Sequence, residues 1–470
     1  MLNDTICAVS TPHGKGGISV IRISGDKCRD IVSRIFKPIN GSKLTFEPRK
    51  AVYGNITSSL SGETIDDGIM TFFAAPASFT GEDTAEISCH GGIVVTSMVL
   101  DAVLNAGAVH AEAGEFTKRA FLNGRMSLTK AEATADLLDA RSESAAVLTG
   151  ENSRGRLSKK LSEMANSLLF IASSLSAYID YPDEDLEDME DDELDSRIDG
   201  LLDECNKLID GRKTGEAVTE GIPAVICGKP NVGKSSFFNY LIGEDRAIVT
   251  DIPGTTRDMI EYQVKAGKIM LKLLDTAGIR ENTSDIVEKM GIDAVKKRLS
   301  SDSGSIIFVL FTHDSFDTEK NEFSKDDKAV LDSLPKDTEH IIIPVITKSD
   351  MNISTEILKS ILTDSFGKCF VISSSTGSGM DELLGYVEGL YIKGDFDLRE
   401  NVYLTSVRQV NNIRRAAEEL TEAKKALYNG CKDMTGIFIE HALSAIMETD
   451  GRETGEAIIK DIFSRFCVGK

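Results

Sequence analysis

Apolar positions along the chain change their period from segment to segment, and each change marks a different kind of element. Thr5 to Ser10, Ile18 to Ser24, Ala51 to Ile56, Gly68 to Phe73 and Ala85 to His90 are short β-rich runs separated by turn residues, which predicts strands. The last runs into His90-Gly-Gly92 and then Val94 to Asn105, whose period predicts a helix ending near Gly107. Residues 1–118 therefore read as an α+β domain. Across 119–215 the step becomes three and four residues, at Leu128, Ala131, Ala135, Leu138 and then Leu157, Leu161, Met164, Leu168 and Ile171. That pattern predicts long bundle helices. Residues 216–391 alternate strands with helices in the manner of a parallel sheet. Ile222 to Cys227, Ile306 to Phe311, Ile341 to Thr347 and Cys369 to Ser373 are its buried strands, and Ile260 to Ala266 with Lys268 to Leu274 flank Gly267 as a hairpin. Helical periodicity returns within 392–470, at Ser406 to Tyr428 and Ile437 to Met447. One bundle built from both helical stretches, with the α/β segment inserted, is the economical arrangement.

Length and charge narrow this picture. A chain of 470 residues predicts roughly three domains. With 53 Lys and Arg against 75 Asp and Glu, the net charge of −22 opposes a generally basic nucleic-acid surface. An RNA partner would need a local patch, and Arg154, Arg156, Lys159, Lys160, Arg414 and Arg415 are candidates that a solvated helix face explains equally well. The run from Asp180-Tyr-Pro-Asp-Glu-Asp185 to Asp199 is densely acidic, and Pro182 should interrupt its helix. It reads as a solvated face, with a metal or a basic partner as the alternative. The eight cysteines form no C-x-x-C pair and no zinc-spaced cluster, which predicts reduced thiols. His13 and His90 each adjoin glycine and read as turn or helix-start residues before metal ligands. No window approaches about 18 apolar residues, so a cytoplasmic protein without a membrane span is expected.

The chemistry concentrates in the inserted segment. Gly228-Lys-Pro-Asn-Val-Gly-Lys-Ser235 matches G-x-x-x-x-G-K-S, between a strand and the helix start Ser236 to Leu241. Its glycines let backbone N–H groups turn toward a triphosphate, Lys234 puts a charge on the outer phosphates, and the Ser235 hydroxyl can join a magnesium shell. Thr250-Asp-Ile-Pro-Gly-Thr-Thr-Arg-Asp258 offers a threonine hydroxyl to the metal, that of Thr256, on a loop able to change order when the γ-phosphate leaves. Asp275-Thr-Ala-Gly278 follows an apolar strand, where a carboxylate reaches the magnesium through water. Thr347-Lys-Ser-Asp350 follows another, so that Asp350 pairs with the N1 and amine hydrogens of guanine while Lys348 lies along the ring. Adenine offers the wrong edge.

Acidic residues after strands are commonly helix caps, so each motif alone is moderate. Four in this order resemble the guanine-nucleotide-binding domain of translation-factor-like GTPases. The chain departs from that pattern at Thr347, where Asn is usual, and at Ser373-Ser-Ser375, where Ser-Ala-x is usual. It departs again at Ile279, which stands where Ras-like enzymes carry the water-orienting glutamine. Asn231 and the Gly-Thr-Thr-Arg loop resemble the GTPases that place potassium where an arginine finger would act.

With its flanks added, the chain resembles the MnmE family of tRNA-modification GTPases, also called TrmE or ThdF. The matching residues are Thr11-Pro-His-Gly-Lys-Gly-Gly17 with Arg22-Ile-Ser-Gly25, Ser78-Phe-Thr-Gly-Glu-Asp83, His90-Gly-Gly92, Gly114-Glu-Phe-Thr-Lys-Arg-Ala-Phe-Leu-Asn-Gly-Arg125, Tyr181-Pro-Asp-Glu184 and Phe466-Cys-Val-Gly-Lys470. The resemblance implies a multidomain α/β protein. Its parts are an α+β tetrahydrofolate-binding and dimerising N-terminal domain (1–118), an α-helical bundle (119–215 with 392–470) and an inserted Ras-like P-loop G domain (216–391). It implies a homodimer that works with the flavoprotein MnmG, in a heterotetramer or larger complex, to install an aminomethyl-type group on C5 of the wobble uridine of tRNA. The one-carbon unit comes from a 5-formyl or 5,10-methylene folate, and GTP hydrolysis accompanies juxtaposition of two G domains.

Carried over by motif position, Asn231, Val232, Gly233, Lys234, Ser235, Ser236, Thr250, Asp251, Ile252, Pro253, Gly254, Thr255, Thr256, Asp275, Thr276, Ala277, Gly278, Lys348 and Asp350 bind GTP. Ser235 and Thr256 hold magnesium, while Asn231, Thr250, Ile252 and Thr255 hold potassium. Glu288 orients the attacking water, and Arg22, Glu86, Arg125 and Lys470 contact the folate. Cys467 reads either as a catalytic thiol or as a packing cysteine. Two other readings stay open. One is an RNA- or ribosome-binding assembly switch, although no GXXG loop or aromatic-basic run is present; the other is a folate-dependent aminomethyl transferase that GTP only regulates.

Overall fold

The N-terminal alternation folds into β1 (Ile6–Val9), β2 (Ile18–Ser24), β3 (Phe36–Pro38), β4 (Ala51–Thr57), β5 (Thr64–Phe73), β6 (Thr84–His90) and β7 (Val109–His110). They form one sheet in the order β3-β4-β5-β6-β2-β1-β7, antiparallel except for the β1/β7 pair. Helices α1 (Cys28–Ile35) and α2 (Ile93–Asn105) cover one face, where Ile21, Ile23, Ile87, Val32, Ile35, Val99 and Val103 are buried together. Side chains alternate along a strand, so the neighbours of Ile21, Ile23 and Ile87 point to the other face. Arg22 and Glu86 are such neighbours, and they are cross-strand partners. Within the covered core, burial pushes the Cys7 and Cys28 thiols up to about 12, as expected of inert packing cysteines.

The computed structural model describes residues 4–39, 41, 43–180, 190–243, 247–249, 261–274, 305–335, 340–392, 401–453, 455–464, 466 and 469. After the sheet come α3 (Glu115–Leu122), α4 (Leu128–Asp139), α5 (Glu143–Ser153), α6 (Arg156–Asp180), α7 (Asp191–Asp210) and α8 (Arg212–Thr219). The inserted segment supplies β8 (Ile222–Gly228), α9 (Lys234–Leu241), β9 (Ala247–Val249), β10 (Glu261–Ala266), β11 (Ile269–Leu274) and β12 (Ile306–Phe311). There follow β13 (Phe316–Asp317), β14 (Glu322–Phe323), α10 (Lys325–Ser333), β15 (Ile341–Ile346), α11 (Glu356–Phe366), β16 (Phe370–Val371) and α12 (Met380–Tyr391). The chain returns to helices in α13 (Val407–Tyr428), α14 (Lys432–Asp450) and α15 (Glu456–Ser464). None of the helices among the described residues is long and apolar enough to cross a membrane.

Two compact units result. One comprises Met1–Leu138, Asn152–Leu202 and Asn412–Lys470, the other Asp139–Glu151 and Asp203–Asn411. In the second unit the sheet order is β16-β15-β12-β8-β11-β10-β9, parallel from β16 to β11 and antiparallel beyond. All six residues of β12 are buried, as a strand covered on both faces requires. The expected strand Cys369 to Ser373 forms only over Phe370–Val371. Beyond it Ser373 N–H turns to Ser378 O at 2.9 Å, so the chain has left the sheet for a loop. The expected hairpin closes at Gly267, with Ala266 opposite Ile269.

In the first unit the helices before and after the insertion pack as one bundle. α6 is 25 residues long, about 37 Å. It buries Leu157, Leu161, Met164, Leu168 and Ile171 against α14, which buries Ile439, Ala442, Ala445 and Ile446. Asp450, at the end of α14 and 4% exposed, fixes their register. Its two oxygens accept the Thr129 hydroxyl of α4 at 2.6 Å and the Ser158 hydroxyl of α6 at 2.9 Å. Replacing Asp450 by Ala strands both hydroxyls, and we expect a loss of about 1–3 kcal/mol. The lowered urea midpoint, followed by circular dichroism, checks this; an unchanged midpoint would show that the hydroxyls find other acceptors.

Candidate functional site

The insertion places its chemistry at the C-terminal ends of parallel strands, where open α/β sheets bind ligands. β8 ends at Gly228 and α9 begins at Lys234. Gly228 has φ +151°, and a Cβ there would come within 2.7 Å of Leu310 O and 2.9 Å of Val232 Cγ1. Only glycine allows β12 to approach the loop so closely. Asn231 (φ +60°) and Gly233 (φ +101°) are left-handed, the alternation from which anion-binding backbone nests are made, and α9 adds the positive end of its dipole. Lys234 Nζ donates to Gly228 O and Lys229 O, both at 2.8 Å. The side chains of Asn231 and Ser235 supply an amide carbonyl and a hydroxyl, the kind of oxygen ligands hard cations take. Val232 is wholly buried, and Ser236 is exposed at the start of α9.

The loop after β15 is bound to this cradle. Thr347 is buried; its N–H donates to Phe311 O at 2.8 Å, and its hydroxyl lies 2.5 Å from Val232 O and 3.1 Å from Phe311 O. A hydroxyl has one proton, and the shorter contact directs it to Val232. Lys348 is left-handed (φ +59°) and its Nζ donates to Asn231 O at 2.8 Å. Consecutive residues of one loop thus hold consecutive carbonyls of the other.

Asp350 projects from a short 3₁₀ turn, Ser349–Met351. Its carboxylate accepts the Ser373 hydroxyl at 2.6 Å, and Ser375 Oγ lies 2.9 Å from Ser373 Oγ. Donation by Ser373, then its own backbone N–H, Ser375 and the charge of Lys348, hold this carboxyl below the usual carboxylate range. It is ionised at neutral pH and presents acceptors only, the complement of a base edge with two adjacent N–H donors.

A second cluster lies on the other face of the N-terminal sheet, where Ile6 and Ala8 are buried with Ala111 and Phe116. Arg22 Nε and Nη2 both donate to Glu86 Oε1, at 3.0 and 2.8 Å. The guanidinium lies 5.2 Å from the ring centre of Phe79 and 5.7 Å from that of Phe116, a cation–π sandwich. Glu86 Oε2 and Arg22 Nη1 take no part in this pairing. Gly81, two residues past Phe79, carries the Arg125 side chain, whose Cγ lies 3.2 Å from where a Gly81 Cβ would be. The chain end arrives beside this strand pair. Gly469 O accepts the Ser10 hydroxyl at 3.0 Å, and a Cβ on Gly469 would stand 2.2 Å from Val9 O.

Asn231 to Ser236, Lys348 and Asp350 therefore converge at one site, and Arg22, Glu86 and Arg125 meet the segment 79–81 at another. Thr250, Asp251, Ile252, Pro253, Gly254, Thr255, Thr256, Asp275, Thr276, Ala277, Gly278, Glu288, Cys467, Lys470 and the acidic residues 181–189 lie outside the described residues. Sequence reasoning missed the tethering role of Thr347 and the aromatic walls Phe79 and Phe116. Both phenylalanines sit inside the motifs quoted above, but nothing in their spacing pairs them with Arg22. His90 ends β6 with its backbone N–H and its ring Nδ1 both on Asp66, at 2.8 Å each, and that carboxylate raises the imidazole pKa.

Comparison with known proteins gives two family matches, the GTP-binding protein TrmE N-terminus over residues 5–125 and the MnmE helical domain over residues 128–467. The tRNA modification GTPase MnmE of Acetivibrio thermocellus is 36% identical, with 99% of each chain covered. That of Thermoanaerobacter sp. strain X514 is 38% identical, with 100% of each covered. Among solved structures, the G domain of the T. maritima FeoB iron transporter is similar over 36% of this chain and 98% of its own, at 24% identity and a TM-score of 0.26. With relatives this similar from end to end and both family descriptions matched, the chain belongs to the MnmE (TrmE) family of tRNA modification GTPases.

Proposed function

We propose that this chain binds and hydrolyses GTP as a component of the system that modifies C5 of the wobble uridine in tRNA. The observation that carries the nucleotide assignment is the joined pair of loops. Lys234 and the left-handed turns form a phosphate cradle, while Asp350, kept ionised by Ser373, is the acceptor that guanine's N1–H and amine require. Family membership supports the assignment to tRNA.

In this reading Lys234 binds the outer phosphates, Asp350 and Lys348 select the base, and Ser235 with Thr256 holds magnesium. Asn231, Thr250, Ile252 and Thr255 hold potassium. These cations would offset the negative charge that develops during phosphoryl transfer, where the residue after Gly278 is isoleucine in place of a water-orienting glutamine. Asp251, Pro253 and Gly254, with Asp275, Thr276 and Ala277, complete the two switch loops, and Glu288 orients the attacking water. Residues 1–118 bind the folate through Arg22, Glu86, Arg125 and Lys470. The carboxylate of Glu86 suits an amine edge, and the guanidinium of Arg22 suits a carboxylate. Residues 119–215 and 392–470 form the bundle and 216–391 the G domain. The working form is a cytoplasmic homodimer acting with the flavoprotein MnmG on tRNA.

Nucleoside analysis of tRNA from cells lacking this chain tests the reading. The C5 modification of the wobble uridine should disappear and return on complementation; unaltered tRNA would overturn the assignment and favour an assembly switch. A second outcome concerns the cation. Hydrolysis should fall by about a hundredfold when sodium replaces potassium at matched ionic strength, the scale of one lost charge-stabilising group. Equal turnover in the two salts would remove potassium from the site.

A further inference from the structure

Lys229, the second residue of the phosphate loop, has a side chain turned away from solvent and only 11% exposed. Its ammonium donates to Asp314 Oδ1 at 2.9 Å and lies 3.0 Å from Asp327 Oδ2. Asp327 is 1% exposed, in the first turn of α10, and its other oxygen is buried without a hydrogen-bond partner in the structure. The cap residue of α10 orients it. Ser324 Oγ donates to Asp327 Oδ2 at 2.6 Å and accepts from Asp327 N–H at 3.2 Å. Asp314 sits in the turn that leaves β12, where the Thr312 hydroxyl donates to it.

The Thr312 hydroxyl and then Lys229 hold the Asp314 carboxyl below its usual range. Burial pulls the Lys229 ammonium down, but the hydrogen bonds and charges of Asp314 and Asp327 outweigh it and the net shift is upward. A buried ion pair is poor evidence of stability, because desolvation offsets the attraction, yet removing one partner leaves a stranded charge. What matters is what the pair is attached to. The carbonyl of Lys229 is one of the two that hold the Lys234 ammonium. Lys229 is thus gripped at its side chain by α10 and at its carbonyl by the residue that faces the phosphates.

We propose that Asp327 and Lys229 are positioning residues for the phosphate loop, through which a buried carboxylate in α10 sets the place of Lys234 and hence the affinity for nucleotide. This rests on the GTP reading of the site and extends it to Asp327, which lies in no motif, and to Lys229, at a position the phosphate-loop motif leaves unspecified. A merely structural triad would pin α10 to the sheet, and its loss would lower the melting temperature while folded protein bound nucleotide as before.

The test uses the full chain with Asp327→Asn, Lys229→Met, the double variant and Lys229→Arg. The readouts are the dissociation constant and off-rate of a fluorescent GDP, KM and kcat for GTP, and thermal melting. Each single variant should weaken GDP and raise KM by about tenfold or more, with a smaller change in kcat, since small displacements of a positioned group are costly. The double variant should be no weaker than the worse single, and Lys229→Arg should stay within about threefold of the parent, because Arg keeps the charge and reach. Parent-like GDP affinity in either single variant, or losses that add in the double, would overturn the inference whatever happens to the melting temperature. Should Asp327→Asn fail to fold, Lys229→Arg against Lys229→Gln decides it. Arg near the parent with Gln weakened supports the proposal, and equal affinities overturn it. A parent chain that bound no guanine nucleotide would instead overturn the function on which it rests.

Discussion

The hydroxyl of Thr347 against the carbonyl of Val232 is the contact on which the nucleotide site depends. It spans 115 residues of chain and is buried on every side, so the proton it carries has no water to turn to. Because Lys348 then reaches Asn231 O, the loop after β15 and the loop after β8 share a boundary rather than facing each other across a gap. The usual asparagine carries two amide protons and an oxygen, enough for the cradle and the base together. Threonine has a single proton, and here the cradle takes it. In the proposed reading base selection accordingly falls to Asp350, whose supporting hydroxyls come from Ser373 and Ser375. The departure at 347 and the serine-rich departure at 373–375 compensate in this sense: one donor is withdrawn from the base, and the remaining acceptor is held more firmly.

The first unit shows a different economy. Its bundle closes only when the segment after the insertion returns, since Asp450 collects hydroxyls from α4 and α6 while Phe463 and Phe466 of the chain end pack with Leu128 and Ala131. The same return brings Gly469 against β1, next to the strand that carries Arg22. Bundle assembly and the seating of Gly469 beside β1 are therefore built from residues that lie far apart in the sequence.

Sequence alone disclosed what is local and periodic. The run Ile306–Phe311 had to be a buried strand, Gly267 had to turn a hairpin, and Gly228 to Ser235 had to be a phosphate loop, because apolar runs, turn glycines and loop motifs are all short-range signals. Strands such as Phe36–Pro38 and Val109–His110 were hidden, since two or three residues carry no period and are made by their neighbours in the sheet. Lys229 looked like filler within the phosphate motif because its partners lie 85 and 98 positions away, in Asp314 and Asp327. Phe79 and Phe116 were equally silent, as a cation–π sandwich is specified by three-dimensional approach and by no spacing along the chain.

The measurement that bears most directly on the joined loops is the rate at which guanine nucleotide leaves Thr347→Val. Valine keeps the branched shape and removes only the hydroxyl, so packing beneath Val232 is preserved while the tether is cut. If the two loops work as one body, the off-rates of GDP and GTP should both rise by about tenfold, the scale of one buried hydrogen bond, with preference for guanine over adenine unchanged because Asp350 is untouched. Off-rates equal to those of the parent, in a variant that melts normally, would contradict the account.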